Sequence, residues 1–391
     1  MRSDWMPRQR PSEFDPPFRS VPAGNGLYLH FPFCRKRCSY CGFVCHAGLD
    51  FFIEPYLEAL EREIAFYPAW EIATLYLGGG TPSLLASSSL VNLLDRITKH
   101  FCLASTAEVT LEVNPGTGSP ALWEAARLAG VNRISLGIQA LDITTLQLLG
   151  RDHTMADIER TVSELRSSGF TDLSFDLLYG LPGQTLKQWD QTLAAAIALT
   201  PEHLSLYSLQ VEENTLFSAW QRQGLLVLPG EDDERAMLDL LAERLVTADF
   251  RRYEISSWSK PGHESAHNRI YWYNRPYIGL GAGAHSYHDG RRYAHGRSVR
   301  SYLQDPVPKL SSGRQTRQET MAETLFLGLR LTLEGIWRAD FAARFGKDPY
   351  EEYGPAIDRL VRLGLLEITP ERLRLSPAGI PLANEVFVAF L

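Results

Sequence analysis

The chain has 391 residues, 45% of them hydrophobic, and a formal net charge of -7. That length can bury a substantial core, reads as one large and one small domain, and excludes disorder as the main state. The acidic balance argues against a general nucleic-acid binder, which needs a basic surface to displace counterions from phosphate, and leaves room only for a local basic patch.

Residues 1–24 are rich in Arg, Pro and acidic side chains and lack the continuous apolar core of an export signal, so they are expected to form a mobile tail. From residue 25 to 255, short β-branched or aromatic runs alternate with amphipathic stretches, the pattern of βα units that build a parallel sheet. Strands are predicted at Leu27–Phe31, Ile72–Leu77, Glu108–Val113, Arg133–Gly137, Asp172–Phe175 and His203–Ser208. Helices are predicted at Tyr56–Phe66, Leu90–Phe101, Pro120–Leu128, Ala156–Ser167, Leu186–Leu199 and Asp233–Thr247. Six such units make an α/β fold, a partial (βα)6 barrel of the TIM type. Residues 256–315 read as a connecting segment with a glycine-rich run and an Arg-rich loop. Residues 316–391 read as a smaller α/β domain ending in a winged-helix-like hairpin. No stretch offers about twenty uninterrupted apolar residues, so no membrane span is expected. Five cysteines, most of them in one segment, fit a reducing compartment, and the protein is expected to be soluble and cytoplasmic.

Cys34, Cys38 and Cys41 stand in one aromatic-rich segment, spaced by three residues and then by two. A cubane iron–sulfur cluster normally takes four thiolates, so three from one loop leave an iron open for chemistry. A zinc site is the alternative, with Cys45 or His46 as fourth ligand, although structural zinc sites usually divide their ligands into separated pairs. Cys102, between Phe101 and Leu103, reads as a buried core thiol. Arg35, Lys36 and Arg37, between the first two cysteines, would favour reduction of a negatively charged cluster. Polar or glycine features recur where the predicted strands end, which is where barrels of this class gather their chemistry. Cys34 follows the first strand, Gly78-Gly79-Gly80-Thr81 the second, Glu112 ends the third, Gln139 follows the fourth and Asp176 closes the fifth.

The cysteine segment resembles the signature of the radical SAM superfamily. Together with Glu112-x-Asn114-Pro-Gly116, Ser135-x-Gly137-x-Gln139 and Asp176-x-x-Tyr-Gly180-Leu-Pro182, it resembles the oxygen-independent coproporphyrinogen III oxidase-like branch from about Gly26 to the C-terminus. The resemblance implies a [4Fe-4S] cluster on Cys34, Cys38 and Cys41, with S-adenosylmethionine (SAM) at the exchangeable iron. It implies a SAM site built from Tyr28, Tyr40, Phe43, Gly79, Gly80, Thr81, Glu112, Gln139, Arg151 and Asp176. Within that site a strand-end carboxylate such as Glu112 suits ribose hydroxyls, and a guanidinium such as Arg151 suits the methionine carboxylate.

Within the branch, the oxidases typically carry a further cysteine where this chain has Phe43. His267-Asn268-Arg-Ile-Tyr271-Trp272 instead is similar to the His-Asn-x-x-Tyr-Trp element of HemW-type heme chaperones. That resemblance implies a protein that binds heme and delivers it to heme-accepting proteins such as respiratory enzymes, without porphyrinogen oxidase activity; it leaves the electron donor unnamed and allows a homodimer. His267 is the expected heme ligand, since imidazole ligates iron and aromatics pack on the macrocycle. His285, after the glycine run Gly279–Gly283, is a second candidate. Two other readings compete. One is radical SAM catalysis, as coproporphyrinogen decarboxylation or as methyl transfer or cyclopropanation. The other is a DNA-binding regulator using the winged tail.

Overall fold

The computed structural model describes residues 24–307 and 313–391. The expected N-terminal tail therefore lies, apart from Gly24, outside the described residues.

Six parallel strands form the centre of the molecule: β1 (Asn25–Phe31), β2 (Glu71–Gly79), β3 (Cys102–Val113), β4 (Arg133–Gln139), β5 (Leu173–Tyr179) and β6 (His203–Ser208). Each pairs with its neighbour in sequence, so the sheet grows in one direction as βα units add to it. Strands covered on both sides read as nearly continuous apolar runs. Leu27, Leu29 and Phe31 of β1 and Ile134, Leu136 and Ile138 of β4 are fully buried. The covering helices are α1 (Ile53–Ile64), α2 (Ser87–His100), α3 (Pro120–Leu128), α4 (Met155–Ser167), α5 (Leu186–Ala198) and α6 (Glu231–Thr247). The start of α4 is written in its sequence: the Thr154 side chain accepts from Asp157 N while the Asp157 carboxylate accepts from Thr154 N, a capping box worth about 1 kcal/mol.

The segment 256–315 does more than connect. Strand β7 (Ser257–Ser259) adds antiparallel to β6, and β8 (Tyr277–Leu280) adds parallel to β1 at the opposite edge. Between them runs the short helix α7 (Ala266–Trp272). Strands β9 (His285–His288) and β10 (Arg291–Ala294) continue the sheet outward from β8, giving eleven strands in all with the two-residue strand Arg251–Arg252. The chain thus crosses from one edge of the open barrel to the other.

The glycines of the expected connector earn their place by close approach. Gly281 and Gly283 have φ of 99° and 81°, and a Cβ on Gly281 would stand 2.4 Å from the Tyr56 hydroxyl, one on Gly283 2.6 Å from Val44. The C-terminal domain has a core of its own, with Met321, Leu325, Phe341, Ile357 and Leu373 at its centre. Helices α8 (Arg317–Gly328), α9 (Arg338–Phe345) and α10 (Pro349–Arg362) precede a hairpin of Leu366–Ile368 with Arg372–Leu375, as the winged-helix-like reading expects. A buried ion pair, Arg269 with Glu334, ties α7 to this domain.

Candidate functional site

A cavity of about 590 Å³ opens at the carboxyl ends of the parallel strands and brings Cys34, Cys38, Cys41, Tyr40, Phe43, Gly79, Gly80, Thr81, Glu112, Gln139, Arg151 and Asp176 to one place. These residues come from five different βα units, which makes their convergence the main yield of the fold. Tyr28 goes elsewhere. Its hydroxyl bonds His30 Nδ1 at 2.9 Å, and its ring lines a neighbouring cavity.

Gly79 and Gly80 allow β2 to pass close to the cysteine loop. A Cβ on Gly80 would meet the Phe33 carbonyl oxygen at 2.6 Å, and one on Gly79, whose φ is 109°, the His30 ring at 2.4 Å. Thr81 Oγ1 donates to Cys34 Sγ at 3.4 Å, and Arg151 Nη1 to Cys38 Sγ at 3.4 Å. Arg151 is fixed by Nη2 donating to the Asn114 side-chain oxygen and to the Gly137 carbonyl, each at 2.6 Å. Its Nε is buried with no hydrogen-bond partner, which leaves a donor of the kind a carboxylate-bearing ligand would take. Asn114 also donates to Thr81 Oγ1 at 2.7 Å. The sequence marks it only as part of a motif, yet it bonds both the threonine and the arginine that donate to the cysteine sulfurs.

Gln139 is the last residue of β4 and has φ of 68°, a left-handed conformation that is rare for a side-chain-bearing residue and frequent at functional sites. Asp176 does not close its strand as expected. β5 runs on to Tyr179, so Asp176 sits inside the barrel, where it accepts from Ser135 Oγ at 3.0 Å and is also bonded by Ser205. Burial raises its pKa against those bonds.

Glu112 accepts from the Tyr76 hydroxyl at 2.8 Å and from Gly79 N at 2.9 Å. Burial, with Asp176 nearby, pushes its pKa up to about 7 despite these bonds. The folded state therefore holds a proton that the unfolded chain releases near its usual value of 4.5, so this residue subtracts from stability progressively as pH rises from 4.5 to about 7. Glu112→Gln is expected to narrow the fall in melting temperature between about pH 5 and about pH 8; an unchanged pH profile in thermal melts would refute the assignment.

The thiols differ. Cys45, which the sequence offers as a candidate fourth zinc ligand, is buried with its Sγ 3.7 Å from Cys41 Sγ, and it also bonds Cys34. These bonds hold Cys45 as a thiol and pull Cys41 down to about 6, with Cys34 lowered in the same way. Burial raises Cys38 against the opposing Arg151. Cys102 is exposed rather than a core thiol, because it begins β3 at the far end from the covered stretch. Among the described residues no three His, Cys, Asp or Glu side chains converge as a single ion requires, which does not suit the mononuclear zinc alternative. A cubane places its irons at separate corners and asks for no such convergence. The three cysteines, their donors and the glycine-lined cavity fit a cluster with SAM beside it.

His267 is not presented as a ligand. It is 1% exposed, its Nδ1 is paired with Thr74 Oγ1 at 2.8 Å and its Nε2 with the Tyr271 hydroxyl at 2.7 Å. Burial lowers its pKa to about 3. The motif's histidine and tyrosine bond each other, so that spacing four apart on α7 serves the helix packing. The sequence could not distinguish this from ligation.

The neighbouring cavity, about 710 Å³, is lined by Tyr28, Tyr271, Trp272, Tyr277, His285 and Arg297 among others. It shares Gly42 and Phe43 with the cysteine cavity. Phe43 is 70% exposed, so it stands between the two rather than within one.

The model of the radical SAM superfamily matches residues 28–196, and that of the HemN C-terminal domain matches residues 315–382. In fold the chain is similar to coproporphyrinogen III oxidase (HemN) from Escherichia coli, with a TM-score of 0.82 at 22% identity over 95% of this chain and 91% of that one. The strand-end cavity and the cysteine loop are thus those of a radical SAM protein, a class that implies a [4Fe-4S] cluster and SAM. Among curated proteins the chain is 36% identical to heme chaperone HemW of Lactococcus lactis, over 94% of this chain and 97% of that protein. It is 35% identical to heme chaperone HemW of Bacillus subtilis, over 94% and 99%, and 33% identical to that of Escherichia coli, over 93% and 97%. The chain belongs to the HemW family of heme chaperones.

Proposed function

We propose that the protein binds a [4Fe-4S] cluster through Cys34, Cys38 and Cys41, holds SAM in the strand-end cavity, and carries heme in the adjoining aromatic cavity for delivery to heme-accepting proteins. The observation that carries this reading is the pair of cavities meeting at Gly42 and Phe43, one lined by thiols and polar strand ends, the other by tyrosines, a tryptophan and histidine. In the first, Arg151 would take the methionine carboxylate, Glu112 the ribose hydroxyls, and the backbone at Gly79 and Gly80 the amino group. The bound cluster supplies an electron for reductive chemistry at the sulfonium. The protein's own part is to position both ligands and to keep Thr81 and Arg151 donating toward the sulfurs, which makes electron uptake easier. Among the described residues no helix is long and apolar enough to cross a membrane.

The test pairs two assays on anaerobically reconstituted protein. Saturable binding of heme near one per chain, transfer to an apo-hemoprotein and no consumption of coproporphyrinogen under reducing conditions is the expected result. Decarboxylation of coproporphyrinogen with multiple turnovers would overturn it in favour of an oxidase.

A further inference from the structure

Four histidines surround or adjoin the aromatic cavity, and their surroundings separate them. His267 has both ring nitrogens engaged and is buried. His30 is likewise buried, with Nδ1 on the Tyr28 hydroxyl at 2.9 Å and Nε2 on the Val44 carbonyl at 2.7 Å. His295 is buried, its Nε2 2.7 Å from the Glu63 carboxylate. His285 differs from all three, because its side chain is exposed and lines the cavity.

The position of His285 is rigidly set. It opens β9, paired with Ala294 of β10, and alternation along the strand turns the next residue inward, where Ser286 Oγ accepts from Gly279 N at 2.9 Å. The positive-φ glycines before it allow this strand to lie against Val44 of the cysteine loop. Tyr271, Trp272 and Tyr277 supply aromatic surface across the same cavity, and Arg297, whose Nη2 donates to the Gly42 carbonyl at 3.1 Å, stands at its edge with further donors in its guanidinium. An accessible imidazole beside aromatic walls and a cation matches the three demands of an iron porphyrin: an axial nitrogen, apolar faces and a partner for a propionate.

We infer that His285, rather than His267, is the protein's iron ligand to heme, with Arg297 pairing a heme propionate. The inference rests on the heme-carrying reading of this cavity. His267 then acts as a positioning residue, holding Tyr271 in the cavity wall through its Nε2.

The experiment titrates hemin into the full-length reconstituted protein, following the Soret band and the electron paramagnetic resonance of the ferric iron, in the native protein, His285→Ala, His267→Ala and Arg297→Gln. His285→Ala is expected to weaken binding at least tenfold and to lose the histidine-ligated spectrum, with free imidazole restoring that spectrum. His267→Ala is expected to keep the ligation spectrum, and Arg297→Gln to keep it while weakening binding several-fold. An unchanged spectrum in His285→Ala, or its loss only in His267→Ala, overturns the inference while leaving the heme-carrying reading intact. Absence of saturable binding by the native protein overturns that reading itself, and the inference with it. His285 is exposed, so a correctly folded variant is expected and is checked by an unaltered melting temperature.

Discussion

Replacing Cys34, Cys38 or Cys41 with serine is expected to reduce the iron and sulfide of the reconstituted protein to near background, whereas Cys45→Ser should retain both. The four thiols are close, but they are not equivalent. Cys34 receives a hydrogen bond from Thr81, just after β2, and Cys38 one from Arg151, in the loop before α4, while Cys41 is drawn toward the thiolate by Cys45. Thiolate character is what a metal selects. Cys45 is pushed the other way and remains a donor to Cys34 and Cys41. Its replacement should therefore leave ligation intact, and Cys45→Ala, which removes the hydrogen bond to the ligand sulfurs that a serine hydroxyl would keep, should shift the cluster's reduction potential downward. Iron and sulfide analysis with a redox titration decides the matter. Full cluster content in any of the first three variants would refute the ligand set, and cluster loss in Cys45→Ser would refute the distinction.

The second large effect is expected at a residue that lines neither cavity. Glu108, within β3, is fully buried, and its carboxylate accepts from Ala266 N and His267 N, each at 2.9 Å, capping the start of α7. Removing one partner of a buried charged network leaves backbone donors unsatisfied, at a cost of about 3 kcal/mol or more. Glu108→Ala is expected to lower the melting temperature by several degrees. It should also weaken heme binding, since α7 carries Tyr271 and Trp272 into the cavity wall. Glu108→Gln keeps one acceptor and should fall between the two. Parallel thermal melts and hemin titrations measure both, and a loss of stability with unaltered hemin affinity would show that α7 does not shape the cavity.

The central barrel was legible because doubly covered strands leave near-continuous apolar runs, and all six predicted strands lie within or closely match those in the structure. Most residues expected around SAM were legible for a related reason. A strand that ends in glycine or a carboxylate announces its own carboxyl end, and the barrel collects those ends. Three features were not. The edge strands β8 and β9 are separated by glycines that look like a phosphate loop, and only the contacts with Tyr56 and Val44 reveal why they are there. The sequence puts Asp176 at a strand end because the following Leu177, Leu178 and Tyr179 carry no pairing signal of their own; their partners are on β6. His267 is the instructive case. Periodicity placed it beside Tyr271 but could not say whether the imidazole pointed at a ligand or at that tyrosine, and both of its nitrogens turned out to be satisfied from within.

Gly42 and Phe43 line both cavities, and on the proposed reading this one segment of backbone would have heme on one side and SAM on the other. A displacement of Phe43 that enlarged one chamber would reshape the other, so a ligand that moves it in settling would alter the free energy of its neighbour. Thermodynamic reciprocity then requires that if heme strengthens the hold on SAM, SAM strengthens the hold on heme by the same factor. Loading of cargo and release of cargo would then be two directions of one linked equilibrium, the same whichever chamber is filled first.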